Sequence, residues 1–369
     1  MSVYVHIAKQ PTGIKREMLV RILKLKLTRK QEKTLEQWLW HLTAVYNWGL
    51  KKIELNAKDK IYFSEKTFQN LLADHGKKIG IPSHTIQGTL LQVYNAWQRC
   101  FRKQAKKPHL KGQHNKFNSI AFPDPIKPPK GNKIGIPGLK KVRFIKQKLP
   151  DAEIKCGRIV KRASGWYLCL WLDTERSFPV KDTDEAVGID PGFDTLLTLS
   201  DGTKIENPRE LHKGAKRLAQ AQRGHKKQLV ARLQERQANR RQDRNHKVSR
   251  KLVENYKTIC YSDDNFKGMA SNFGKSVSEA GLGQLVKYIT YKGSICGRQV
   301  IPVSSKYTTM TCSVCGALTG PTGLDGLKVR HWICSACGAD HDRDINSAVI
   351  VLNAGLGISH ERKAIQCVA

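Results

Sequence analysis

Four cysteines constrain this chain more than any other feature. They stand as Cys312-Ser313-Val314-Cys315 and Cys334-Ser335-Ala336-Cys337, two CxxC pairs with 18 residues between them. A glycine follows each pair at once, Gly316 and Gly338, and turns the chain so that both thiolates face one point. Two such knuckles complete a tetrahedral zinc site. Four thiolates leave no coordination position for a substrate, so the metal is expected to be structural. The other six cysteines, Cys100, Cys156, Cys169, Cys260, Cys296 and Cys367, are scattered singly. A disulfide framework would instead pair cysteines through a small secreted domain, and a redox CxxC needs no second matched pair.

Charge comes next. Among 369 residues, 65 Lys and Arg oppose 31 Asp and Glu, a formal net charge of +34. Self-repulsion on that scale opposes compaction unless a polyanion neutralises it, and nucleic acid is the first candidate. An anionic membrane surface or a ribosome is the plainer alternative. With 40 % hydrophobic and 7 % aromatic residues the chain is globular, and its length suggests two or three domains. No apolar run approaches the roughly 18 residues of a membrane helix. Residues 1–19 lack the apolar stretch of a secretory signal. The expectation is a cytoplasmic, nucleoid-associated protein.

From Thr28, Leu35, Trp38, Leu39, Leu42, Val45, Tyr46 and Leu50 recur at helical spacing, and a second stripe runs Ile86, Leu90, Val93, Trp97, Phe101. Both read as core faces of a small helical bundle. Residues 102–148 are rich in Lys, Pro and Gly and read as loops. Alternating runs at 142–145, 159–161 and 166–172, with a turn at Ser164-Gly165, suggest a small β-barrel or sheet. Its first strand would come from the N-terminal segment, with the helical block inserted.

Further on, residues 187–190 form an apolar strand ending in Asp190, followed by strands at 196–199 and 203–205, a β-meander in outline. Residues 209–256 are helical in composition and densely basic, including Arg217, Arg223, Arg240, Arg241 and Arg244. Only Glu235 and Asp243 oppose them between Lys213 and Lys251. So one-sided a run favours nucleic-acid contact over a merely solvated face. A strand at 258–261 leads to Ser262-Asp263-Asp264-Asn265, then a helical stretch near 277–291 and a strand at 299–303. After the knuckles, Asp342-Arg343-Asp344-Ile345-Asn346 opens an apolar helix.

Acids therefore stand at element ends: Asp190, Asp263 or Asp264, and Asp342 or Asp344. A meander followed by alternating helices and strands is the order of an RNase H-like domain. In that fold, carboxylates from strand ends and one helix hold two Mg²⁺ ions about 4 Å apart. Such hard cations select carboxylate oxygens. A lone Asp at a helix start more commonly caps it, as Asp342 would.

Gly188-Ile189-Asp190-Pro191-Gly192, Asn265-Phe266-Lys267-Gly268-Met269, the segment from Tyr307 to Cys312 with Cys315-Gly316, and Cys337-Gly338 leading to Asp342–Ala348 resemble the TnpB family. That family is encoded by insertion sequences and related to the type V CRISPR effectors. Thr43–Leu50 is similar to its helical region, so the likeness spans nearly the whole chain. The resemblance implies a multidomain α/β protein. A wedge-like β-barrel (1–27 and 105–178) would carry an inserted helical recognition domain (28–104). An RNase H-like RuvC nuclease domain (179–308 and 340–357) would enclose a four-cysteine zinc ribbon (309–339), with a tail at 358–369. It further implies a monomeric RNA-guided endonuclease that binds a guide RNA and double-stranded target DNA and reads a short flanking motif. One structural Zn²⁺ and two catalytic Mg²⁺ are the implied ions.

Asp190 matches the family's first catalytic acid and Asp344 its third. At the second position this sequence has Ser262, where the family commonly has Glu. A serine hydroxyl is a poor Mg²⁺ ligand beside a carboxylate. Asp264 shares the face of Ser262 in a regular strand and is the first replacement, Asp263 the second; Glu279 is a weaker one. A chain lacking the second acid would instead be an RNA-guided DNA-binding repressor. Two further alternatives are a basic zinc-ribbon protein that binds RNA without a guide and a transposase in the strict sense. The latter would need a His-x-His with a nucleophilic Tyr, which is not evident here.

Overall fold

A computed structural model describes residues 17–174, 178–326 and 328–358. The chain divides into two compact units, 1–176 and 177–369.

In the first unit, β1 (Glu17–Lys26) precedes four helices: α1 (Arg29–Lys58), α2 (Glu65–Asn70), α3 (His75–Ile79) and α4 (Ser83–Phe101). Strands β2 (Ser119–Phe122), β3 (Lys133–Ile136), β4 (Lys140–Phe144), β5 (Glu153–Arg162) and β6 (Gly165–Thr174) follow. Helix α1 starts at Thr28 because that residue and Gln31 cap each other. The Thr28 hydroxyl accepts the Gln31 amide at 3.2 Å, and the Gln31 side chain accepts the Thr28 amide at 3.1 Å. The two apolar stripes meet: Leu35, Trp38, Leu39 and Leu42 of α1 and Ile86, Leu90 and Val93 of α4 are buried in one core with the sheet's inner face. The sheet is antiparallel, in the order β2-β5-β6-β1-β4-β3. Among the described residues its hydrogen-bonded order is open, ending at β2 and β3. Strand β1 thus sits inside a sheet whose other five strands come after the helices. The Lys- and Pro-rich stretch read as loops contains β2 and β3. These are four-residue strands, too short for alternation to stand out.

The second unit holds β7 (Ala186–Pro191), β8 (Thr195–Leu199), β9 (Lys204–Glu206), α5 (Glu210–Arg223), α6 (Lys227–Asn255), β10 (Thr258–Ser262), α7 (Phe266–Ala280), α8 (Leu282–Ile295) and β11 (Gln299–Val303). After these come the short α9 (Gly323–Gly326), the hairpin β12 (His331–Ile333) and β13 (Asp340–Asp342), and α10 (Arg343–Leu356). The main sheet runs β11-β10-β7-β8-β9. Its first three strands in sequence form an antiparallel meander, and β10 and β11 join parallel to β7.

Alternation along β7 sorts its two faces. Val187 and Ile189 face a core with Leu252, Val253, Leu285 and Ile289; Gly188 and Asp190 face α10. A Cβ on Gly188 would lie 2.0 Å from the Ala348 carbonyl oxygen and 2.7 Å from the Leu352 nitrogen. Only glycine permits the helix backbone to lie directly on the strand.

The helical stretch expected over 277–291 is in fact two helices. Gly281, at φ +62°, caps α7 and begins α8, and a Cβ there would meet Arg241 Cδ at 2.7 Å. A left-handed residue ends an α-helix, which the apolar periodicity on either side concealed.

Replacing Gly188 by Ala is expected to destabilise the second unit by about 3 kcal/mol or more, since backbone must move. Thermal unfolding followed by circular dichroism should show its midpoint falling by about 6–12 °C. A change under 2 °C would mean that the helix slides freely on the strand.

Candidate active site and metal centre

Packing on Gly188 lays successive turns of α10 across the sheet. Ala348 and Leu352 cross Gly188, and Gly355 reaches Cys260, the residue paired with Gly188 in the parallel register. The first turn of α10, with Asp344, thereby comes to the end of β7 and Asp190. One step beyond the last register pair, Tyr261 with Ile189, Ser262 falls beside Asp190 on the same face.

Asp190 feels this company. Burial pushes its carboxyl up to about 8, with further upward pressure from Asp344 and Asp264, against relief from Arg343 and Ser347. The Ser347 hydroxyl is buried near Asp190 yet makes no hydrogen bond within normal distance. Asp264 is also shifted upward, by burial first; the Ser305 and Ser262 hydroxyls beside it pull the other way, and Asp263 adds to the rise. Asp344 is paired with Arg330 at 3.2 Å and Arg343 at 3.4 Å. Arg330 also reaches Asp194 at 3.2 Å. Asp344 and Asp264 both act against charge on Asp190, and carboxylates arranged in this way are donors suited to a hard divalent cation.

The other candidate acids have different placements. Asp263 is exposed, with its amide on the Val303 carbonyl at 2.8 Å, and its charge acts on Tyr261. Asp342 caps α10, accepting the amides of Asp344 and Ile345 at 3.0 and 3.1 Å and Lys204 Nζ at 2.6 Å. Burial opposes its ionisation, but Lys204 and the two amides hold it below the usual carboxylate range. Glu279 lies in the last turn of α7, not at a helix start. Its carboxylate accepts the Leu211 and His212 amides at 2.9 and 3.2 Å, so it caps α5, whose own N-cap residue, Arg209, makes no side-chain cap.

The four cysteines converge, all their sulfurs lying within 4.8 Å of one another. Cys312 and Cys337 Sγ are 3.8 Å apart, Cys315 and Cys334 Sγ 3.6 Å. A tetrahedron with metal–sulfur bonds of about 2.3 Å has edges of about 3.8 Å, so the site fits one zinc-sized ion. Gly316 and Gly338, at φ +75° and +73°, close the knuckles by donating to the Cys312 and Cys334 carbonyls at 2.9 and 2.8 Å. Among the described residues this is the only set of three or more His, Cys, Asp or Glu side chains so close together.

The five arginines chosen from the basic stretch divide. Arg217 on α5 and Arg223 at its end are exposed. Arg240 is exposed too and pairs with Glu210 at 2.7 Å. Arg241 donates to the Ser278 carbonyl at 2.7 Å. Arg244 is half-buried and donates to the Ala280 carbonyl and to Asn207 and Asn245. These last two hold α6 to the junction at Gly281. Nothing in the sequence marked Arg330 as a partner of Asp344, and Asn346 was visible only as part of its motif.

Two family models match the chain, "Probable transposase" over residues 170–272 and "Cas12f1-like, TNB domain" over residues 283–351. A putative RNA-guided DNA endonuclease of Streptomyces pristinaespiralis is 34% identical over 213 residues. That alignment covers 54% of this chain and 52% of the relative, about half its length. The putative RNA-guided DNA endonuclease InsQ of Escherichia coli (strain K12) is 28% identical over 306 residues, covering 74% of this chain and 75% of the relative. A solved complex of Cas12f1 with sgRNA and target DNA aligns at 16% identity over 91% of this chain and 99% of that one, with a TM-score of 0.35, too low to bear on the fold.

Asp190 sets a pH dependence. Without added magnesium, the folded chain keeps a proton on Asp190 that the unfolded chain releases near its ordinary value. Its stabilisation is full below about pH 4 and is lost as pH rises towards about 8. The unfolding free energy in magnesium-free buffer should fall from pH 5 to pH 8, by up to about 1.4 kcal/mol per pH unit, and a denaturant titration at each pH reads it. Asp190→Asn should flatten that slope; an unchanged slope would place the titrating group elsewhere.

Proposed function

Because the chain belongs to the TnpB family, we propose that it is an RNA-guided DNA endonuclease of a mobile element, cutting double-stranded DNA beside a short flanking motif at one two-metal RuvC site. The observation that carries this is that Asp264, in the segment after β10, and Asp344, on α10, both lie near enough to Asp190 of β7 to act on its charge. Support comes also from the strand order β11-β10-β7-β8-β9, a meander extended by two parallel strands, as in an RNase H-like domain.

Asp190, Asp264 and Asp344 would hold two Mg²⁺, which when bound supply an activated water and stabilise the leaving oxygen of the phosphodiester. The chain's own part is preorganisation. Alternation keeps Asp190 on the face that meets α10, Asp264 follows β10 with the Ser262 hydroxyl beside it, and the Asp342 cap fixes the turn that presents Asp344. Arg330 and Arg343 balance the acids until cations share Asp344. The four thiolates would hold one structural Zn²⁺. The six-stranded sheet with α1–α4 would serve as the wedge-like barrel and recognition lobe for guide RNA and target. Arg217, Arg223 and Arg240 would meet phosphates, while Arg241 and Arg244 keep α6 in place.

One observation favours a second reading, RNA-guided DNA binding without cleavage. Ser262 is buried beside Asp190, where the family commonly has an acid, and the three carboxylates do not gather as tightly as the thiolates.

Protein purified with its RNA should cut a plasmid library of randomised flanks in Mg²⁺. Asp190→Ala, Asp344→Ala and Asp264→Asn should each reduce cutting by more than the roughly 100-fold that loss of an outer-shell partner costs, while Asp263→Asn stays within a few-fold of wild type. Guided binding without cutting by the wild type would establish the second reading. Asp263 dependence with Asp264 indifference would exchange the two acids.

Arg217→Gln and Arg223→Gln should each lower the slope of log affinity against log salt by about 1. Arg244→Gln should leave that slope alone and lower the unfolding midpoint. A reduced slope for Arg244→Gln would put it on the nucleic acid.

A further inference from the structure

Helix α10 carries Asp344 at its second residue and Asn346 at its fourth. Asn346 is only 2% exposed, a burial that an amide tolerates when both its ends are paired. Its Oδ1 accepts the Ser313 amide at 2.8 Å and its Nδ2 donates to the Thr311 carbonyl at 2.7 Å. Those partners flank Cys312, so one side chain grips the main chain on both sides of a thiolate.

Other bonds close the same seam. His341 Nε2 lies 3.0 Å from Cys312 Sγ, and its neighbour Asp342 caps α10. The Arg343 amide donates to the Arg330 carbonyl at 2.8 Å, and Arg330 in turn holds Asp344. The first knuckle and the first turn of α10 are one hydrogen-bonded body, although Ser313 and Asn346 stand 33 residues apart in sequence.

Resting on the two-metal reading above, we propose that Asn346 is a positioning residue that ties Asp344 to the zinc knuckle, so that zinc at the four thiolates sets the affinity of the acids for their cations. Zinc–thiolate bonds make the knuckle rigid. A knuckle that opens takes both partners from Asn346 at once. A buried amide without partners is costly, and the helix relieves it by fraying the turn that carries Asp344. The acid then leaves Asp190, and the cation loses a ligand. Two metal sites of different chemistry, soft sulfur and hard oxygen, are thereby linked through one neutral side chain.

The test uses the full chain, with Mn²⁺ as the probe of the acids, read by electron paramagnetic resonance, and zinc counted by atomic emission. Wild type with zinc binds Mn²⁺, and Asp190→Asn loses that binding. Stripping zinc from the wild type should weaken Mn²⁺ binding about tenfold, a typical size for coupling between sites. Asn346→Leu, similar in shape but without hydrogen bonds, should keep its zinc, show the weakened binding already, and lose little more when stripped. Mn²⁺ affinity indifferent to zinc, or two losses that multiply, overturns the proposal. Loss of zinc from Asn346→Leu overturns it as well, because the residue would then serve the ribbon alone. Hydrogen exchange at residues 343–347 of the wild type reads the tie with no cation on the acids and no variant: zinc removal should accelerate it at least fivefold. If exchange responds but zinc-loaded wild type binds no Mn²⁺, the two-metal reading fails while the tie stands. If exchange is unmoved, the tie itself fails.

Discussion

The backbone of α10 rests on β7 at Gly188 with no side chain between them, and the second unit is arranged around that contact. A helix usually rides about 10 Å above a sheet on a cushion of side chains. Here the cushion is absent at one point, so the helix is pinned in height and register at once. Its N-terminal turn then has one position, at the end of β7, and the hairpin of the cysteine ribbon, which runs straight into that turn, inherits it. The ordering of the acids and the siting of the ribbon both follow from a missing methyl group.

Charge follows a similar hierarchy. In a chain with an excess of +34, most acids lie within reach of a cation that could neutralise them. Asp342 is engaged by a helix cap and Lys204, and Glu279 by the neutral amides of α5. Asp190 is kept apart by burial, with a weakened tendency to ionise as the consequence. Asp344 stands between these cases, ion-paired but on a turn where Arg330 divides itself between two acids.

Much of this was legible in the sequence because the signals are local. The cysteine spacing specifies a knuckle whatever surrounds it. The stripes from Leu35 and from Ile86 specify two buried helix faces, and the alternation at Val187–Asp190 places the acid on the face opposite the core. What was hidden depends on groups distant in sequence. The break at Gly281 is a single residue inside continuous helical composition, and its meaning lies in Arg241 on another helix. The basic stretch looked uniform, but Arg241 and Arg244 turn inward to carbonyls at the α7–α8 junction while Arg217 and Arg223 face water. Glu279 looked like a spare acid until the amides of α5 were seen above it. The face shared by Ser262 and Asp190 follows from the parallel register of β10 with β7, which no local pattern encodes.

That register bears on how such a site can change over generations. Positions along a strand alternate between the α10 face and the core face, so a carboxylate taking the part of one at position 262 would have few places to stand. A step of one residue leads away from α10, to the side occupied by Tyr261 and the exposed Asp263. In a continuing strand a step of two would return to the α10 face; β10 ends at Ser262, and Asp264 follows it with the Ser262 hydroxyl beside it. Descent with a working site is therefore restricted to even moves, and a lineage could pass through a stage carrying acids at both positions before shedding the older one. Parity, rather than distance, decides which neighbouring sequences are reachable.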